Sequence, residues 1–428
     1  MKLNRGITAH RNHFRWVNLI YFVTTIALAV ILIFPKIAEA KPLAAANASV
    51  SLGIPSSVMI GEDFSLTVGF ENTGTDPGYG PFIDLIFPYT GQDGDDGIEY
   101  YSSSYLSSAL EDDIQFFPDD GGGSGCVSHP WLRDVTGSYV DVCGYAGDQF
   151  VSIKLPFGSY VPGQPRLDIN VNAHLSNLAD LTPNLLIYAR GGYMFGDTPE
   201  DDWCCGDTPY AVPNGTDSTT WPDTPVTPQV MTFGKAYAGP GNTNDETSTG
   251  PNFPRQYTLT VDIANGQTLN NILVQDQLPD NVQFIGIDAG STTIGCIATT
   301  TPSIADPGGT LEVDCGTKSG TVVVVYDFYI PELYDLPNPP DDDADFDDPV
   351  IDPDSGDDVT SSNIAWVDAS WTPFDGRDPL TPISSNAACP TCTPLHDLED
   401  KSIAIQKSVA VFSGGVGPGN DPAPGAVL

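Results

Sequence analysis

The sequence predicts an all-β protein, a series of β-sandwich domains behind an export segment. Three observations carry that expectation. Of 56 acidic residues only ten are Glu and forty-six are Asp, a residue of turns and strand ends rather than of helices. Forty-three Gly and 38 Pro break the chain at short intervals, as turns do. The stretches between them alternate apolar and polar side chains with a period of two.

Taken in order, Phe64–Val68, Gln149–Leu155, Leu167–Val171 and Tyr257–Ile263 alternate in this way and read as strands with one buried face. Thr321–Ile330 is nearly all apolar or aromatic and reads as a central strand covered on both faces. Leu175–Leu185 is the only stretch with much helical spacing, and it is short. Many short strands at turn-punctuated intervals mean sandwiches. A length of 428 residues suits two or three such domains. The expected divisions are a signal peptide over 1–40, an N-terminal sandwich over 41–196, a Pro/Asp/Thr-rich linker over 197–228, a second sandwich over 229–398 and the start of a truncated further repeat over 399–428.

Export rests on the first forty residues. Lys2, Arg5, Arg11 and Arg15 precede an apolar run from Trp16 to Phe34, and Ala38-Glu39-Ala40 has the small-x-small pattern of a cleavage site. The competing reading is an uncleaved inner-membrane anchor, since the run is just long enough to span a bilayer. Either way the chain is expected to be a bacterial secreted or cell-surface protein, touching the membrane only through this segment.

The formal charge of −40 speaks against a nucleic-acid partner, because phosphate binding needs clustered Lys and Arg. It speaks equally against docking on an anionic membrane. No P-loop or dinucleotide fingerprint points to a nucleotide. Removing residues 1–40 takes five basic residues and Glu39, leaving 11 basic against 55 acidic. Salt and divalent cations screen the self-repulsion of such a surface.

All eight cysteines follow the export segment, which fits an oxidising compartment. Cys296 and Cys315 flank Asp306-Pro307-Gly308-Gly309, a strong turn signal, so a hairpin folded there brings the thiols opposite each other. Closing that loop contributes about 3 kcal/mol by loop entropy. Cys126 and Cys143 have nearly the same spacing and form the second expected pair. Cys204, Cys205, Cys389 and Cys392 are read as further disulfide cysteines. The Cys389-Pro390-Thr391-Cys392 motif with His396 also offers three ligands of a zinc site or a redox pair, without the fourth ligand or the strand-then-helix context that these need.

An internal repeat organises the chain. Phe64-Ser65-Leu66-Thr67-Val68 with Asn72 matches Tyr257-Thr258-Leu259-Thr260-Val261 with Asn265, and Leu85-Ile86-Phe87-Pro88 matches the strand ending Gln277-Leu278-Pro279. A third copy opens at Ile405-Gln406-Lys407, echoing Phe233-Gly234-Lys235. Lys235, the Tyr257–Val261 strand, Asp276-Gln277-Leu278-Pro279 and Asn363-Ile364-Ala365 together resemble the conserved-repeat domain of bacterial surface proteins. That family is a tandem Ig-like β-sandwich of large exported proteins, related to fimbrial domains that form isopeptide bonds. The resemblance covers about 229–398 and the stub beyond 401, and is looser over 42–196.

The resemblance implies a chemistry for three polar residues. Strand parity puts Lys235 on one face with Met231, Phe233 and Tyr237, puts Asp276 with Ile272, Val274 and Leu278, and puts Asn363 with Ala365, Val367 and Ala369. All three then point into a core, where an unpaired charge is costly. In isopeptide-forming relatives a Lys amine attacks an Asn side-chain amide while an acid shuttles the proton. Lys235 and Asn363 would be the partners and Asp276 the shuttle. The alternative is a buried Lys235–Asp276 ion pair with Asn363 hydrogen-bonded to backbone. The first domain has no Lys on its opening strand near Ser49–Leu52, and its Asp84 is one position out of register with Asp276.

No cofactor is required by any motif, and Ca²⁺ is the one cation that the acid runs suit. Asp352, Asp354, Asp357 and Asp358 share one loop, and Asp93 and Asp95 sit in a Gly-spaced acidic turn. Neither run has the twelfth-position Glu of an EF-hand, and a solvated acidic loop is the alternative for both. Histidines are few after the export segment, and His129, His174 and His396 lie in no triad or metal motif.

The expectation is therefore a non-enzymatic surface or matrix protein, a stalk or adhesion component. A second reading makes the first domain a head that binds glycans or other surface proteins through Tyr100, Tyr101, Tyr105, Phe116, Phe117 and Trp131. Exposed aromatics there favour the head and buried ones the spacer. A third reading, an exported hydrolase, needs a concave pocket with His129 or His174 beside an acid.

Overall fold

A computed structural model describes residues 46–94, 96–134, 136–196, 212, 215, 217–239, 250–279, 282–330, 363–376, 378 and 380–388. Among these residues the regular structure is β apart from one 3-10 turn, Ser218–Thr220. No helix among them is long and apolar enough to cross a membrane.

Two sandwiches follow one another with the same eight-strand order. In the first, Ala48–Gly53, Asp63–Asn72, Leu167–Leu175 and Ile98–Tyr105 lie side by side. The facing sheet runs Leu185–Tyr193, Pro81–Phe87, Gln149–Lys154 and Glu111–Phe116. In the second, Met231–Ala238, Arg255–Ile263, Val322–Tyr329 and Gln283–Ile287 form one sheet. Its partner runs Ile364–Trp371, Leu269–Leu278, Gly309–Lys318 and Ile297–Thr300, with a ninth strand, Thr381–Ala388, added outside Ile364–Trp371. In both sandwiches strands one, two, seven and four thus face strands eight, three, six and five. The short sequence matches noted above fall on strands two and three of each.

Alternation fixes which side chains enter the cores. Leu167–Leu175 and Arg255–Ile263 bury every second residue, so Ile169, Val171, Tyr257, Leu259 and Val261 pack inward. Val322–Tyr329 is a central strand, paired on both sides, but not covered on both faces as its apolar run suggested: Val323, Asp327 and Tyr329 on its outer face are only half-buried. Gln149–Lys154 departs from the one-faced strand that its alternation suggested, because both of its faces are buried. The reason is a third layer. The disulfide-linked strands Ser124–Arg133 and Tyr139–Tyr145 lie over the outer face, where Phe117, Val142 and Trp221 close a small second core on Ile86 and Phe150.

Two other expectations are corrected. Leu175–Leu185 forms no helix. Leu175 ends one strand and Leu185 opens the next, and the intervening turn spends its apolar spacing on Ala179, which is buried, and Leu181, which packs against the core. Residues 223–228, read as linker because of Pro225 and Pro228, lie in a strand, Asp223–Gln229. It pairs with Leu185–Tyr193 and, in parallel, with Ser57–Met59, because Val226 carries enough apolar surface to be fully buried. Only Val230 separates this strand from Met231–Ala238, the first strand of the second sandwich. Hydrogen bonds from Ile60 to the Gln229 carbonyl and from Ala264 to the Val230 carbonyl, both 2.9 Å, pin that joint.

Candidate functional site

The core of the second sandwich holds a polar cluster. Lys235 comes from the first strand, Asp276 from the third, Tyr326 from the seventh, and Asn363 directly precedes the eighth. Lys235 is 1% exposed, and Asp276 and Asn363 are 0%. The Lys235 Nζ lies 2.7 and 2.9 Å from the two Asp276 oxygens and 4.3 Å from the centre of the Tyr257 ring. It also donates, at 3.5 Å, to the backbone carbonyl of Asn363. The Tyr326 hydroxyl donates to Asp276 Oδ2 at 2.9 Å and accepts from Asn363 Nδ2 at 3.3 Å. Asn363 Oδ1 is buried without a hydrogen-bond partner.

Burial governs the protonation of this cluster, since a low dielectric disfavours both charges. It pushes the Lys235 ammonium down to about 8 against the opposing pull of Asp276. It pushes the Asp276 carboxyl up despite Lys235 and Tyr326 beside it. Tyr326 is raised well above the phenol range by the same desolvation and by the neighbouring carboxylate. The two shifts bring amine and acid toward the neutral pair, a nucleophile beside a proton donor, with a carboxamide joined to the acid through one hydroxyl.

The first sandwich carries a different cluster at the equivalent third strand. Asp84 points to the outer face, away from the sandwich core, and is buried under the disulfide hairpin. It accepts from Arg190 Nε at 2.8 Å, from Ser152 Oγ at 2.7 Å and from His129 Nε2 at 3.0 Å. Arg190 stacks over the Trp221 ring at 4.2 Å. Burial raises the Asp84 carboxyl, but His129, Arg190 and Ser152 beside it more than offset this and hold it below its usual range.

Serine, histidine and aspartate meet here without forming a relay. Ser152 Oγ and Asp84 face the same nitrogen of His129, at 3.4 and 3.0 Å. The other nitrogen, Nδ1, accepts the backbone N–H groups of Trp131 and Leu132. That leaves the proton on Nε2, given to Asp84, and no ring atom free to take one from Ser152. His129 is also fully buried, so no concave pocket reaches it. His174 bonds Asp63 at 2.7 Å and lines a notch of about 110 Å³ with Tyr89, Gly97, Glu99, Ser176 and Asn177.

The other expected site residues divide. Cys126–Cys143 and Cys296–Cys315 are bonded pairs, the first directly cross-strand. Cys204, Cys205, Cys389, Cys392, Asp95, Asp352, Asp354, Asp357 and Asp358 lie outside the described residues. Asp93 comes together with Asp96 and Asp180, their oxygens within 4.8 Å of one another. Asp180 sits in a distant turn and gave no sequence signal. Of the six aromatics, Tyr101 and Phe116 are about half exposed, whereas Tyr100 and Phe117 are buried, and Tyr105 and Trp131 are intermediate.

No protein-family profile matches the chain, and no curated protein does. Solved structures with which it aligns include a 35 kDa C-terminal fragment of the major pilin of Streptococcus agalactiae, at 11% identity and TM-score 0.22 over 84% of this chain and 96% of that one. BcpA, the major pilin subunit of Bacillus cereus, aligns at 10% and 0.22 over 80% and 69%. The Enterococcus faecalis MSCRAMM ACE, which binds its ligands by the collagen Hug model, aligns at 10% and 0.19 over 82% and 95%. At these scores the likeness concerns β architecture and carries no functional argument.

Proposed function

We propose that this protein is an exported surface or extracellular-matrix component, a stiff tandem-sandwich spacer whose second domain is closed by a covalent bond between Lys235 and Asn363. The observation that carries the reading is the buried Lys235–Asp276–Tyr326–Asn363 cluster. A lysine and an aspartate placed where each is driven toward its neutral form are a costly way to stabilise a core, and a useful way to prepare an amine. Lys235 passes a proton to Asp276, and the free amine adds to Asn363 Cγ. The carbonyl electron pair moves to Oδ1 and returns as the Cγ–Nδ2 bond breaks. One proton from the former amine leaves with Nδ2 as ammonia, and Asp276 ends protonated beside the new amide. The bond ties the first strand to the eighth, across the two sheets, which suits a spacer that must resist unfolding. Turnover happens once and within one chain, so the protein is not an enzyme by this reading.

The test is the mass of the purified full chain after reduction, followed by digestion. A chain one ammonia light, with the Lys235 and Asn363 peptides joined, supports the reading when Lys235→Ala abolishes both features. A full-mass wild type leaves only the ion pair.

A second reading has one observation in its favour. Tyr101 is 49% exposed and stacks on His174 beside the notch that Glu99 and Tyr89 line, an arrangement suited to a glycan or a partner surface. Loss of cell or glycan binding in Tyr101→Ala would assign the first domain as a head.

A further inference from the structure

We propose that Tyr326 is the catalytic proton relay of the cross-linking reaction, carrying the proton of Asp276 to the departing nitrogen of Asn363. The inference rests on the bond-forming reading above and adds to it a residue that the sequence shows only as one more aromatic in an apolar strand.

The hydrogen-bond chain sets the direction. Tyr326 has one hydroxyl proton, and it goes to Asp276 Oδ2. Only a donor can then occupy the remaining side of its oxygen, which fixes Asn363 with Nδ2, not Oδ1, toward Tyr326. Asn363 has no other side-chain hydrogen bond among the described residues, and its Oδ1 stands unpartnered. Among the described residues nothing else therefore orients the amide for attack or reaches the nitrogen that must leave.

The same chain reverses when the chemistry needs it. An amide nitrogen has no lone pair to offer, so before attack it can only donate to Tyr326. Addition of the Lys235 amine makes Nδ2 tetrahedral and basic. By then Asp276 holds the proton taken from Lys235. The acid proton moves from Oδ2 to the tyrosine oxygen, the tyrosine proton moves to Nδ2, and the Cγ–Nδ2 bond breaks to release ammonia. Asp276 recovers a proton from the cationic nitrogen of Lys235, which becomes the neutral amide N–H. Tyr326 ends as it began, and atoms and charge balance without any outside reagent. Its environment suits a conduit that never ionises, because burial and the adjacent carboxylate hold the phenol protonated.

The test measures ammonia loss by mass as the full chain folds on dilution from denaturant, in wild type, Lys235→Ala and Tyr326→Phe. Tyr326→Phe is expected to fold, keep both disulfides and cross-link about 100-fold more slowly or worse, the usual scale for losing a positioned acid–base group. A wild type that loses ammonia beside a Tyr326→Phe that loses it equally fast overturns the relay and leaves the cross-link standing. A wild type that never loses ammonia removes the cross-link and the relay together. If Tyr326→Phe does not fold, the wild-type rate in mixtures of light and heavy water decides. A relay moves two protons in one step and curves that dependence downward, whereas a straight line or no dependence refutes it.

Discussion

Arg190→Met is the sharpest probe of the first sandwich. Asp84 is fully buried and bonded to Arg190, His129 and Ser152. Removing Arg190 strands a carboxylate in a dry site, and breaking a buried pair in this way costs about 3–5 kcal/mol. In wild type the depressed Asp84 pKa contributes stability that is present above the unfolded value and lost as pH falls through the folded one. In the variant only His129 and Ser152 oppose desolvation, the folded pKa rises, and the deficit shrinks on acidification. Hydrogen exchange of the Phe82–Phe87 amides, corrected for intrinsic rates, should lose roughly 150- to 4,000-fold in protection at neutral pH. The loss should be much smaller in acid, where Asp84 takes a proton. An additional Asp84→Asn should restore part of the protection at neutral pH. A deficit that is the same at both pH values would refute the electrostatic account.

Four further outcomes are expected. The rate of ammonia loss should be flat through neutrality, because the ion pair and the neutral pair hold the same number of protons, and should fall above about 8, where Lys235 gives up its proton. A rate that keeps climbing into alkali would contradict this. Asp148, pushed up to about 6 by burial, binds more protons folded than unfolded. Its contribution to stability is therefore fully present in acid and lost as pH rises through 6, so urea midpoints should fall between pH ~5 and ~7, and less so in Asp148→Asn. Separating Cys296 and Cys315 by double substitution to Ala should cost about 3 kcal/mol, read from thermal unfolding of the second sandwich; a change below 1 kcal/mol would show that the hairpin is held by its strands alone. Gly97→Ala should fail to fold or lose most of its stability, since a Cβ there overlaps the Pro88 carbonyl, and circular dichroism at moderate temperature checks it.

Strand parity was legible in the sequence, and it reaches far. The inward placement of Lys235, Asp276 and Asn363 follows from counting by twos along three strands, because one buried face per strand leaves no choice of side. Tyr326 was hidden for the opposite reason. In Val322–Tyr329 most residues are apolar and both sides are paired, so periodicity marks no position as special. The Asp84 cluster was harder, since its partners come from positions 45 to 106 residues away. The outer face of that sheet is buried only because a hairpin folds over it. One signal was available: Asp84 is the single charge in Pro81–Phe87, a run buried at every position. The proline-bearing strand at 223–229 was missed because prolines were counted and the apolar Val226 between them was not.

The one-residue joint at Val230 has a mechanical consequence. A polyanion strung on slack tethers swells as salt is withdrawn, because its beads push one another apart. Here a single residue separates the strand that ends one sandwich from the strand that opens the next, and a swivel at the joint has to break the hydrogen bonds at Gln229 and Val230. Repulsion among 56 acids then raises tension along a rod without lengthening it. The span of the two sandwiches would then stay the same in fresh water and in brine.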